Sequence, residues 1–116
     1  MDAGVKELWV AALRSGTYTQ TTGSLQNACG FCCLGVLCDL YCREVGGNWT
    51  PGEDDELVVF TDNDGNTNFE TCPDGVVEWA GLKEDDPYVS ERFLSDWNDS
   101  GKISFDEIAN LINENL

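Results

Sequence analysis

The most specific chemical spacing in the chain is Asp96-Trp97-Asn98-Asp99-Ser100-Gly101-Lys102-Ile103-Ser104-Phe105-Asp106-Glu107. Side-chain oxygens stand at its first, third and fifth positions (Asp96, Asn98, Ser100), the Lys102 carbonyl at the seventh and the Glu107 carboxylate at the last. Gly101 permits a sharp turn between them. Calcium takes roughly six to eight hard oxygen ligands, and this spacing folds such ligands around one point. The same residues have a plainer use: Gly101 ends one helix in the left-handed conformation, and Ser104 with Glu107 forms the capping box of the next.

Cys29, Cys32, Cys33, Cys38, Cys42 and Cys72 are the other chemically capable group. The Cys29-x-x-Cys32 pair, followed by Cys38 and Cys42, is compatible with zinc. Three disulfides would need an oxidising compartment. The spacing of Cys33, Leu34, Leu37, Cys38 and Tyr41 is helical and favours thiols packed in a buried helix face. Histidine is absent, which removes the usual partner of a cysteine or serine nucleophile and the usual base near neutral pH. Paired carboxylates can do acid–base work, but nothing marks one pair among 22 acidic residues. The expectation is a binding protein rather than an enzyme, with no cofactor required and calcium as the candidate ion.

The net charge is -16, and residues 51–116 hold 18 acidic side chains against Lys83, Arg92 and Lys102. Such a region repels nucleic acid and anionic membranes and attracts cations and basic protein surfaces. The expected contact residues are Glu53, Asp54, Asp55, Glu56, Asp62, Asp64, Glu84, Asp85 and Asp86, with Trp49, Trp79 and Trp97 as possible anchors. Arg14 with Tyr18 and Gln20 could instead line a pocket for a nucleotide-like ligand, although few cations are available for phosphate. The N-terminal residues lack the basic and then apolar sections of a secretory signal, so a cytoplasmic protein is expected.

The elements that must position these groups are those of one α+β domain over 1–116. Helices are expected over Ala3–Arg14, Phe31–Arg43, Pro73–Leu82, from Pro87 through Phe93 and Leu94, and over Phe105–Asn115. A hairpin over Thr17–Gln26 should turn near Gly23. Trp49–Glu56 reads as an acidic loop, and Leu57–Phe60 as a strand whose partner over Thr67–Thr71 returns after the Asp62–Asn66 turn. The segment 87–115 would form a C-terminal helix-loop-helix.

Two resemblances follow from these residues. The Asp96–Glu107 loop, with Ile103 at its eighth position and Ile108, Leu111 and Ile112 in the exiting helix, resembles an EF-hand calcium loop, though no second loop accompanies it. The blocks Ala12-Leu13-Arg14-Ser15-Gly16, Phe31-Cys32-Cys33-Leu34-Gly35-Val36-Leu37-Cys38-Asp39-Leu40, Val77-Glu78-Trp79-Ala80-Gly81-Leu82 and Asn98-Asp99-Ser100-Gly101-Lys102 resemble, in that order, a family of small proteins of tailed bacteriophages. That resemblance implies an accessory protein that acts in the host cell by binding and disabling a host protein, such as a nucleic-acid-binding defence nuclease.

Overall fold

Two helices start from caps in their own sequence. Helix α1 (Ala3–Arg14) opens where the Asp2 carboxylate accepts the Val5 amide at 2.9 Å, and it buries Val5, Trp9, Val10 and Leu13. Helix α5 (Phe105–Asn115) occupies the expected residues, opens with the Ser104–Glu107 capping box and packs Phe105, Ile108, Ala109 and Ile112 inward, with α1 as its main neighbour. Between them lies α2 (Cys33–Glu44), the most buried element, with Cys33, Leu34, Gly35, Val36, Leu37, Cys38 and Tyr41 all out of solvent. The Trp9 indole ties α1 to the start of α2 by donating to the Cys33 carbonyl at 2.9 Å.

The computed structural model describes residues 1–53 and 57–116, and the architecture is α+β. An antiparallel sheet packs beside α2. Its central strand β4 (Leu57–Thr61) pairs on one side with β3 (Asn48–Pro51) and on the other with β1 (Gln26–Asn27) and β5 (Thr67–Asn68). β1 turns directly into β2 (Gly30–Phe31). The rings of Tyr18, Phe31, Trp49, Phe60, Tyr41 and Trp79 then touch in series at centroid separations of 4.8–5.9 Å, mostly edge to face. Each such pair contributes about 0.5–1.5 kcal/mol beyond its burial. The series links the sheet to α2 and to α3 (Asp74–Ala80), which ends at Gly81 in the left-handed conformation.

Three segments differ from the sequence expectation, and in each a tertiary contact overrides local propensity. Thr17–Gln26 is not a hairpin about Gly23. The first hairpin lies later, at β1–β2, and Thr19–Thr21 runs beside Phe31, whose amide donates to the Thr19 carbonyl at 2.8 Å. Gly30 permits this approach, since a Cβ there would lie 2.1 Å from the Thr19 oxygen. Asn48–Pro51 is a strand rather than part of a loop, because Trp49 sits between Phe31 and Phe60. Finally, Pro87 opens no helix. Tyr88–Val89 (β6) and Arg92–Phe93 (β7) form a second hairpin, and helix α4 (Leu94–Asp99) follows it directly.

The β6–β7 turn is built from Ser90 and Glu91 at φ of +50° and +76°. A two-residue hairpin turn wants positive φ at both central positions, which Asn-Gly supplies with least strain. Non-glycine residues there cost about 1–2 kcal/mol each. Replacing Ser90→Asn together with Glu91→Gly is therefore expected to stabilise the protein by about 1 kcal/mol, read as a higher denaturation midpoint at unchanged m-value.

Candidate functional site

The Asp96–Glu107 segment does not fold as an open chelating loop. Asp96 and Asn98 lie within α4. Asn98 is 1% exposed. Its Oδ1 accepts from the Cys33 amide at 3.2 Å and from Gln20 Nε2 at 3.1 Å, while its Nδ2 donates to the Thr21 carbonyl at 2.7 Å and to Asp99 Oδ1 at 3.1 Å. Ser100 Oγ donates to the Trp97 carbonyl and accepts the Lys102 amide. Glu107 reaches back to the Ser104 amide at 3.5 Å while Ser104 Oγ accepts from Glu107 at 3.4 Å. Gathering Asp96, Asn98, Ser100, Lys102 and Glu107 on one ion would require unwinding α4 and stripping Asn98 of its partners. Among the described residues, no group of three or more acidic or cysteine side chains is arranged to hold a metal ion.

The expected acidic contact residues also separate. Glu53 and Asp64 are exposed, and Asp54, Asp55 and Glu56 lie outside the described residues. Glu84 accepts the Tyr88 amide at 2.9 Å, and Asp85 accepts the Thr71 hydroxyl at 3.0 Å. Asp62 is not a surface group at all: it is 3% exposed. Its Oδ1 accepts from the amides of Asp64 and Asn66, and its Oδ2 from Asn66 Nδ2 and from the Gly75 amide at 2.7 Å. Gly75 is in the first turn of α3, whose preceding residue Pro73 has no side chain to cap with. A Cβ on Gly75 would lie 2.6 Å from Asp62 Oδ2, so glycine there lets the carboxylate reach the helix. Burial raises the Asp62 pKa, but the hydrogen bonds from Asn66, Gly75 and Asp64 prevail and hold it below the ordinary value.

Asp86 plays the same part for α4, accepting the Ser95 amide at 3.1 Å and the Ser95 hydroxyl where Phe93 offers no cap. Burial raises its pKa; the Ser95 bonds oppose that, and the charges of Asp96 and Asp85 add to it, leaving the group above its ordinary value. Asp86 also lines a cleft of about 300 Å³ on which Glu70, Asp96 and Asp99 converge. Sequence reasoning assigned Asp86 and Asp96 to different roles and missed Glu70 and Asp99. Asp96 and Asp99 are one turn apart on α4, but Glu70 and Asp86 come from two other segments, and no local spacing joins those to the helix. The buried Cys32 thiol is part of the same lining, and burial pushes it up to about 12. A thiol that stays protonated is a poor nucleophile and packs as an apolar group. Cys33, desolvated by full burial, is likewise held well above the ordinary range.

Arg14, Tyr18 and Gln20 do share a cleft, of about 270 Å³, with Asp106 in its wall. Each is already engaged. Arg14 donates to Asn110 Oδ1 at 2.6 Å, Gln20 to Asn98, and Tyr18 to Asp39 Oδ2 at 2.6 Å. Burial, followed by the Asp39 bond, pushes the Tyr18 phenol up to about 12. One tethered cation beside a carboxylate is a poor cradle for phosphate.

Asp62 and Asn98 give two measurable consequences. Asp62→Asn presents an amide N–H to backbone and side-chain donors whichever way it turns, so it is expected to cost about 2–3 kcal/mol at neutral pH. A carboxylate with a depressed folded-state pKa stabilises above its unfolded pKa and loses that contribution as pH falls through the folded value. The gap between parent and variant should therefore close below about pH 4, as followed by denaturant titration across pH. Asn98→Ala strands the Cys33 amide and the Thr21 carbonyl and is expected to cost about 3 kcal/mol, seen in the same assay.

No curated protein and no solved structure matches the chain significantly. A family model described as a domain of unknown function, DUF8296, matches residues 1–116, from the Asp2 cap to the end of α5, and the chain belongs to that family.

Proposed function

We propose that this chain is a non-catalytic binding protein that presents an anionic surface, centred on the cleft of Glu70, Asp86, Asp96 and Asp99, to a basic protein surface that otherwise holds nucleic acid. One observation carries the reading. Among the described residues the only ion pair is Arg43–Asp39, at 3.3 Å. Arg14 is turned to Asn110 and Arg92 lies over the Trp97 ring at 5.0 Å. The carboxylates of the cleft thus have no cation within salt-bridge distance among those residues, and their field extends into solvent. A fixed field of one sign steers an oppositely charged partner and rejects nucleic acid itself. The resemblance to small proteins of tailed bacteriophages suggests where such a partner lies: a nuclease or other nucleic-acid-binding defence protein in the cytoplasm of a bacterial host.

The test is capture of host proteins on the immobilised chain at increasing salt. Nucleic-acid-binding proteins are expected at about 0.05 M salt and should be lost by about 0.3 M, with the same set retained in calcium and in chelator. Glu70→Gln with Asp96→Asn should slow association about three- to tenfold and leave the melting temperature nearly unchanged. Retention of no such protein at low salt, or retention indifferent to salt, would remove this reading.

A further inference from the structure

The geometry points to the β6–β7 hairpin as the anchor of that contact: the rings of Tyr88 and Phe93 receive an arginine or lysine side chain of the partner, with Glu84 and Glu91 beside it. This rests on the reading of the chain as an anionic protein-binding module.

Tyr88 and Phe93 are 57% and 42% exposed, the first being the most exposed large apolar side chain among the described residues. They face each other directly across the hairpin, edge to face at 5.2 Å between centroids. Side chains alternate along a strand, so Val89 and Arg92 take the opposite face. There Val89 is buried, Arg92 lies over Trp97, and the Trp97 indole donates to the Val89 carbonyl at 2.9 Å. The hairpin is therefore fastened from below, and its own cation is turned away from the ring pair.

The upper face is held still as well. The Tyr88 hydroxyl donates to the Glu91 carbonyl at 2.8 Å, across the strained turn, and the Tyr88 amide donates to Glu84 Oε1. Rings fixed before binding lose little freedom on binding. Their faces attract cations through the ring quadrupole. Glu84, whose Oε1 accepts the Tyr88 amide, and Glu91 in the turn itself supply negative charge nearby, while Lys83 and Met1 line the adjoining cleft beside Tyr88. The hairpin also rises from the wall of the acidic cleft, between Asp86 on its entry and Ser95 and Asp96 on its exit. The ring pair is thus tied to the acidic cleft at both ends of the hairpin. A second copy of this chain, at -16, is repelled by the same field, whereas a basic segment satisfies rings and carboxylates together.

Nona-arginine serves as the probe, followed by backbone and side-chain NMR and by anisotropy. Shifts are expected to concentrate at residues 88–93. Tyr88→Leu with Phe93→Leu keeps apolar area but removes both π-faces, and should weaken binding about tenfold. Tyr88→Phe keeps the ring and should bind within about twofold of the parent. If the leucine variant binds as the parent does, or if the shifts on the parent fall only around the acidic cleft, the ring anchor is wrong while the anionic reading stands. If the parent binds no nona-arginine at low salt, both fall. Mapping on the parent alone decides the matter should the leucine variant fold poorly.

Discussion

The first amides of a helix have no partner within it, and in a packed interior they must find one. Meeting that constraint for the three inner helices organises this molecule. α1 and α5 meet it locally, through Asp2 and Ser104. The starts of α2, α3 and α4 are served by side chains from distant segments: Asn98 accepts the Cys33 amide, Asp62 the Gly75 amide and Asp86 the Ser95 amide. Cys32 adds only a sulfur, accepting from the Gly35 amide at 3.3 Å, and Pro73 and Phe93 add no side-chain cap at all. Each remote cap is therefore both a hydrogen bond and a tertiary link. Asn98 fixes α4 against α2 and the Thr19–Thr21 segment, and Asp62 fixes the β4–β5 turn against α3. Asp86 fixes the segment before β6 against α4, and so sets where the second hairpin stands.

This division explains what could be read from the residues alone. The α+β class, the outer helices and the Asp62–Asn66 turn followed from period, caps and turn chemistry, all of which act within a few residues. The capping box at Ser104–Glu107 was visible as one of two uses of the same motif. The remote caps were not visible, because nothing local distinguishes an aspartate that caps a helix 13 residues away from one that faces water. Asp62 and Asp86 were grouped with surface acids for that reason. Asn98 was grouped with calcium ligands because an amide oxygen at the third position of a chelating loop and an amide oxygen on a buried helix start share one sequence signature.

The hairpin at Tyr88–Phe93 was misread for a related reason. Proline followed by charged and aromatic residues is a reasonable helix start, and Ser-Glu is a poor choice for a turn with two positive φ values. The tertiary frame imposes the hairpin: Leu94 donates to the Pro87 carbonyl at 2.9 Å, Trp97 holds Val89, and Tyr88 closes on Glu91. Strain accepted at an exposed site, where an unstrained turn was chemically available, is a pattern associated with binding and switching segments. The aromatic pair was likewise invisible beforehand, since Tyr88 and Phe93 would not be neighbours on a helix, where residues three or four apart meet.

The acidic excess then divides into two populations with opposite physics. Asp62 is surrounded by four donors, and its charge is part of what holds the fold together, so it is unavailable to a partner. Asp86 is drawn both ways: its bonds to Ser95 favour the anion, while burial and the neighbouring Asp96 and Asp85 disfavour it. A cation arriving at the cleft would relieve the repulsion between Asp86 and its neighbours, because an opposite charge nearby favours the ionised form. Binding a basic partner and ionising Asp86 are thus linked in the same direction, and the linkage is reciprocal. The residue that positions the hairpin is also one whose charge state a cationic partner would stabilise, which would join the capping of α4 to the proposed recognition at the cleft through a single carboxylate.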